Sequence, residues 1–80
     1  MFKMTVDAVM RVHANLISLA GPCENKYKFK RPLWDMEGNE YDVYPTFDKA
    51  LFIDDTRIII GLVGEYADEK SLIGLTLIGA

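Results

Sequence analysis

The chain has one histidine and one cysteine, and these are the first side chains to examine for catalysis. An imidazole can act as a general acid or base near neutral pH, and a thiolate can act as a nucleophile. His13 and Cys23 are ten residues apart, which corresponds to about 15 Å along a helix. That separation is too long for a hydrogen-bonded Cys–His pair, and one residue of each type cannot form a Cys/His zinc site or an intrachain disulfide. We therefore expect no enzymatic activity, no catalytic residue, no metal site and no cofactor.

An acidic segment in the middle of the chain resembles the start of a calcium-binding loop in its spacing. Asp35, Glu37 and Asn39 alternate as the first oxygen ligands of such a loop do. Glu40 occupies the position that requires glycine, and Thr46 occupies the position that requires a bidentate glutamate. The segment is therefore predicted to be a solvated hairpin tip. No glycine spacing of the dinucleotide-binding or P-loop type occurs anywhere in the sequence.

A basic row precedes this acidic segment. Lys26, Lys28 and Lys30 alternate with Tyr27 and Phe29, and an extended strand would place the lysines on one side and the two rings on the other, in the core. A surface for single-stranded nucleic acid needs charges and rings on the same side. The net charge of −3 also opposes binding to phosphates. The row is predicted to be a solubilising edge strand, and weak nucleic-acid binding through it is a subordinate alternative.

The spacing of apolar residues predicts a helix at the N-terminus. From residue 5 to residue 20 they recur at intervals of three and four, at Val6, Val9, Met10, His13, Leu16, Ile17 and Ala20. Thr5 is placed to cap the start of this helix, and Gly21-Pro22 is placed to end it.

Five β-rich or alternating segments follow the predicted helix, at residues 26–34, 41–47, 49–53, 57–63 and 72–78. The expected fold is therefore α+β: a single domain over residues 1–80, with one amphipathic helix packed on an antiparallel meander. The same pattern fits an open sheet or a strongly curled one.

The later strands are apolar on both sides. Ile58, Ile60 and Leu62 share one side of their strand, while Ile59 and Val63 lie on the other. One helix, about 24 Å long and 10 Å wide, cannot cover both faces of a five-stranded sheet. Either strong coiling buries the second face, or a partner covers it.

The function expected from these observations is that of a small non-enzymatic protein-interaction module. It would associate with itself as a dimer, bind another protein, or do both, as an inhibitor or accessory protein of the kind encoded by mobile elements. The expected apolar and aromatic interface residues are Ile59, Val63, Trp34 and Tyr44. The candidate polar contacts are Asp35, Glu37, Asp42, Lys26, Lys28 and Lys30.

A small-ligand binder is the alternative. Its pocket would lie between the helix and a curled sheet, lined by His13, Phe29 and Tyr41.

Composition indicates one cytoplasmic domain without a membrane segment. The chain has 80 residues, 50% of them hydrophobic and 26% charged, which is typical of a folded globular domain. No uncharged stretch approaches the roughly 20 residues of a membrane helix. A single cysteine fits a reducing compartment.

Overall fold

Eight antiparallel strands that form a nearly closed barrel make up the fold of the described residues. The computed structural model describes residues 1–45, 56–65 and 68–79. In chain order the strands are β1 (Lys3–Thr5), β2 (Ala8–His13), β3 (Leu16–Glu24), β4 (Leu33–Trp34), β5 (Glu40–Tyr41), β6 (Val43–Pro45), β7 (Arg57–Val63) and β8 (Thr76–Ile78). The segments between strands in the described ranges include two short 3₁₀ helices, Lys26–Lys28 and Glu69–Leu72.

The strand order explains how the sheet approaches closure. It runs β5-β4-β8-β1-β3-β7-β6, and β2 pairs with β3 beside β1. The two end strands, β5 and β6, are separated in the chain by Asp42 alone. One short stretch of chain therefore pairs with β4 at one end of the order and with β7 at the other.

Inward-facing residues of all strands except β2 and β5, together with Phe2, Val6 and Leu72 from the segments between strands, fill the barrel. Alternation along a strand sends every second side chain to the interior. Twelve apolar residues are buried there: Phe2, Met4, Val6, Ile17, Leu19, Leu33, Val43, Ile58, Ile60, Leu62, Leu72 and Leu77. Because the sheet curls around these residues, its inner face needs no covering helix.

The predicted N-terminal helix at residues 5–20 is wrong, and with it the α+β class. No α-helix of seven or more residues occurs in the described part of the chain. Phe2, Met4 and Val6 alternate into the core, and the next residue to pack against it is Val9. The three-residue spacing from Val6 to Val9 arises where the backbone passes from β1 to β2. At this point Val6 N–H donates to Leu75 O and Asp7 N–H donates to Ala20 O, both at 2.9 Å. The interruption of the strand alternation between β1 and β2 therefore produced a spacing of apolar residues that is also typical of a helix.

The predicted strand at residues 26–34 is also wrong over most of its length. Asn25 adopts the left-handed conformation, with φ at 57°, and its side-chain amide donates to the carbonyl oxygen of Met1 at 2.7 Å. Asparagine tolerates this conformation better than most residues do. The chain therefore reverses at Asn25 and forms a 3₁₀ helix, and only Leu33–Trp34 is extended.

The remaining predicted strands differ in detail. The segment 57–63 coincides with β7, and the segment 72–78 narrows to Thr76–Ile78 after a turn with Gly74 at φ 93°. The segment 41–47 corresponds to Tyr41 at the end of β5 and to β6, which ends at Pro45. Residues 46–47 and the predicted strand 49–53 lie outside the described residues. None of the helices described is long and apolar enough to cross a membrane.

Candidate interaction surface

Four neighbouring strands, β2, β3, β7 and β6, share one outward face. Ladder partners lie on the same side of a sheet, so the register defines three rows across these strands. One row joins Ala8, Ala20 and Ile59, and another joins His13, Leu16 and Val63. The middle row joins Met10, Ser18, Gly61 and Tyr44, one from each strand. We call the residues of these three rows the outer sheet face: Ala8, Met10, His13, Leu16, Ser18, Ala20, Tyr44, Ile59, Gly61 and Val63.

The burial of the intervening residues shows that this face points away from the core. Ile17 and Leu19 on β3, and Ile60 and Leu62 on β7, are all 0% exposed. Their neighbours along each strand must point to the opposite side. The outer sheet face is therefore the solvent side of the barrel wall.

The outer sheet face carries no charged side chain. Met10 is 65% exposed, Tyr44 38% and Val63 37%. Antiparallel sheets usually present alternating polar residues to water, yet the polar groups here are the hydroxyls of Ser18 and Tyr44 and the imidazole of His13 at one corner. An uncharged, largely apolar strand face of this kind is typical of an interaction surface.

The relief of this face is a shallow trough. Ser18 and Gly61 form the middle of the central row, and Met10 and Tyr44 stand at its two ends. The side chain of Leu16 lies over Gly61, since its Cδ1 is 3.3 Å from the position that a Cβ on that glycine would take. The recess is therefore centred on Ser18, because Leu16 already covers Gly61.

Charged groups at the border of the face already have partners. Arg57 forms a bidentate pair with Asp7, at 2.7 and 2.8 Å, and this hydrogen bonding lowers the pKa of the Asp7 carboxyl. The guanidinium carbon of Arg31 lies 4.0 Å from the centre of the Tyr44 ring. These cations can stay in place when the apolar face is covered.

The structure brings together three of the four predicted interface residues. Ile59, Val63 and Tyr44 belong to the outer sheet face. Trp34 lies on β4, where it pairs with Ile78. Trp34 is therefore part of a different surface.

Among the predicted polar contacts, Asp35 supports the hairpin between β4 and β5. One carboxylate oxygen accepts the backbone N–H groups of Glu37 and Asn39, and the other accepts the Asn39 amide and the Tyr41 hydroxyl, all at 2.9 Å. These hydrogen bonds, led by that from Asn39, lower the pKa of Asp35. The carboxylate is 7% exposed and so is directed inward, while Glu37 and Asp42 remain exposed.

The three predicted lysine contacts differ in their surroundings. Lys26 is buried, while Lys28 and Lys30 are exposed. In the described ranges, no group of three His, Cys, Asp or Glu side chains is placed to hold a metal ion.

The pocket expected between helix and sheet does not exist, because the predicted helix is not formed. His13 is exposed at the end of β2, the Phe29 ring packs edge-on against Phe2 with centroids 5.3 Å apart, and the Tyr41 hydroxyl donates to Asp35. A groove of about 220 Å³ is lined by other residues: Lys3, Met4, Thr5, Pro22, Cys23 and Glu24.

Sequence reasoning missed Met10 and Leu16 as surface residues, because the predicted helix placed both on its buried side. The turn at residues 14 and 15 reverses the chain and brings β2 against β3. An asparagine at Asn15 between β-branched segments was the signal for a hairpin.

Comparison with known proteins adds no relative to these observations. No protein-family model, no curated protein and no solved structure matches this chain. The geometry of its surfaces is therefore the basis for a functional proposal.

Proposed function

We propose that this chain is a small non-enzymatic protein-interaction module that associates with a second copy of itself through the outer sheet face. The observation that carries the proposal is the uncharged wall of β2, β3, β7 and β6, with Met10, Tyr44 and Val63 exposed on it. Burying such a wall removes apolar surface from water, and the cations at its border, Arg57 and Arg31, keep the partners they already have.

The separation of the two groups suited to catalysis supports a non-enzymatic role. His13 pairs with Leu16 at one end of β3, and Cys23 lies near the other end of that strand. Seven residues of extended chain correspond to about 23 Å. The two side chains therefore cannot act as a catalytic pair.

The shape of the face favours a second copy as its partner. In a two-fold dimer the same patch serves both subunits, so it must contain both a protrusion and a recess. Met10 supplies the protrusion, and the small residue Ser18 supplies the recess. Two copies related by a two-fold axis can each place Met10 in the trough of the other.

The size of the face sets the strength of the association. The four strands lie about 4.8 Å apart, and β6 contributes three residues while the others contribute about five or six each; at 3.3 Å per residue the face covers roughly 300 Å². A stable interface buries about 800 Å² from each partner. We therefore expect a reversible dimer with a Kd above about 1 µM.

Sedimentation velocity over a concentration series tests the proposal with two pairs of variants. Met10 and Met36 are 65% and 73% exposed, and Met36 lies outside the outer sheet face. Met10→Lys should abolish the rise in sedimentation coefficient with concentration, whereas Met36→Lys should leave it unchanged. Val63→Lys and Ile73→Lys form a second pair with the same expectation, since Ile73 is 50% exposed and also lies off the face.

Two results would contradict the proposal. One is a wild-type chain that stays monomeric at millimolar concentration. The other is an equal loss of association in both members of a pair, which would place the contact elsewhere or make it non-specific.

A further inference from the structure

Unpaired cations gather at the end of the barrel where β1 begins and β3 ends. Lys3, Lys28 and Lys30 are exposed and form no ion pair with any residue in the described ranges. Arg31 is exposed beside them, and its recorded partner is the Tyr44 ring. We call these four cations the basic end; Glu24, the ladder partner of Lys3, is the carboxylate among them.

Several contacts hold this end of the molecule in one arrangement. The Asn25 amide donates to Met1 O, and the Phe29 ring packs on Phe2. Gly79 N–H donates to Phe2 O at 2.9 Å. The 3₁₀ helix Lys26–Lys28 is therefore anchored on both sides, and its side chains are presented on a fixed support.

Two aromatic side chains accompany these cations. Tyr27 is 89% exposed, so its ring contributes little to the core. Trp34 on β4 and Lys3 on β1 are ladder partners of Ile78 on the strand between them. Trp34 and Lys3 therefore lie on the same face of the sheet, two strand spacings or about 10 Å apart. An extended strand would have directed Tyr27 into the core, away from the lysines. This segment is instead a 3₁₀ helix, and Tyr27 is exposed.

We propose that the basic end binds single-stranded nucleic acid, with phosphates at Lys3, Lys28 and Lys30 and a base stacked on Tyr27. Stacking on a projecting ring requires bases that are not already stacked in a duplex, which favours a single strand. The net charge of −3 does not prevent this, because the cations are grouped. Three to four neutralised phosphates predict a slope of log K against log salt of about −2 to −3.

Fluorescence anisotropy of a labelled ten-nucleotide oligo(dT), at about 20 mM salt, tests the assignment. Lys28→Glu should raise the Kd about five- to tenfold, and Tyr27→Ala should raise it roughly fivefold or more by removing the stacking ring. Tyr27→Phe should bind as the wild type does, because the ring is kept. Unlabelled oligonucleotide should also change the emission of Trp34, the only tryptophan in the chain.

Lys70→Glu is the matched control. It makes the same change in net charge at another exposed lysine, in the 3₁₀ helix Glu69–Leu72 that contacts β2 through the Arg11–Glu69 ion pair. Its Kd should stay within about twofold of wild type, as should that of Met10→Lys on the outer sheet face.

Any of four results would overturn the proposal. These are the absence of saturable binding by the wild type, equal weakening in Lys28→Glu and Lys70→Glu, wild-type affinity in Tyr27→Ala, and displacement of the oligonucleotide by an equal charge concentration of poly-glutamate. The last result would assign the basic end to an acidic protein partner.

Discussion

At the residue scale, one carboxylate organises the hairpin that joins β4 to β5. Asp35 is nearly buried and accepts four hydrogen bonds from three residues of its own hairpin: Glu37, Asn39 and Tyr41. Alternation of oxygen-bearing residues in the sequence marked this segment as a turn with possible ligands. The structure assigns the oxygens of Asp35 to local backbone and side-chain donors instead, as short polar side chains in turns commonly do.

Asp35→Asn should destabilise the protein more than Glu37→Gln does. An asparagine amide cannot accept hydrogen bonds through its nitrogen, so it would place N–H groups against two of the present donors. Glu37 has an exposed side chain, and its replacement removes no such contact. Urea unfolding followed by Trp34 fluorescence measures both changes, and equal midpoints would refute this role of Asp35.

The same carboxylate should contribute to the pH dependence of stability. Its pKa in the folded protein lies below the ordinary value of 3.8. The stabilisation is therefore present above that ordinary value and is lost as pH falls through the lower folded pKa. Acid titration of the urea midpoint should show a shallower decline in Asp35→Asn than in the wild type, and parallel curves would contradict the assignment.

At the element scale, β3 organises the barrel because it pairs with β1 and β2 on one edge and with β7 on the other. Gly21 lies where β3 passes the junction of β1 and β2. A Cβ on this residue would overlap the carbonyl oxygen of Thr5 and approach Asp7 N to 3.2 Å. The close approach of two backbones at this point requires glycine.

Gly21→Ala should therefore destabilise the fold by roughly 3 kcal/mol or more. Gly61→Ala is the matched control, since its new methyl group would meet the flexible end of Leu16 at 3.3 Å and should cost no more than about 1 kcal/mol. Circular dichroism and thermal unfolding compare the two variants. Comparable melting temperatures would show that the strand crossing is not the constraint described.

The same elements show how far the sequence could predict the fold. The β-branched residues Ile58, Ile59, Ile60 and Val63 identified β7 over its whole length, because its alternation keeps one phase across Gly61. The N-terminal hairpin was misread as a helix because the shift between β1 and β2 and the turn before Leu16 restart the alternation. Only pairing with distant strands resolves this ambiguity, and such pairing is not visible in local spacing.

The candidate surface was predicted in the same uneven way. Ile59 and Val63 could be found because alternation within β7 is local and regular. Their neighbours Met10 and Ser18 come from a segment whose secondary structure was wrong. Lys28 and Lys30 of the basic end were identified from the sequence as part of a basic row, but their grouping with Lys3 and Arg31 was not, because it depends on the chain reversal at Asn25.

At the scale of the whole molecule, the barrel resolves the excess of apolar residues in two ways. It buries one side of β7 in the interior, with Ile60 and Leu62 at 0% exposure, and leaves the other side on the outer sheet face. The three lysines of the basic end are not part of that uncharged wall, whereas Arg31 contacts it through the Tyr44 ring. Met10 and Lys28 each belong to one surface only, so substitutions at these two residues test the two proposals separately.

The most direct test of the central claim, that the outer sheet face is the contact between copies, is a dilution series followed by methyl NMR spectra. The methyl resonances of Met10, Leu16 and Val63 should shift together with concentration, while those of Met36 and Ile73 should stay constant. Uniform spectra up to millimolar concentration, or shifts centred on Met36 and Ile73, would contradict the claim.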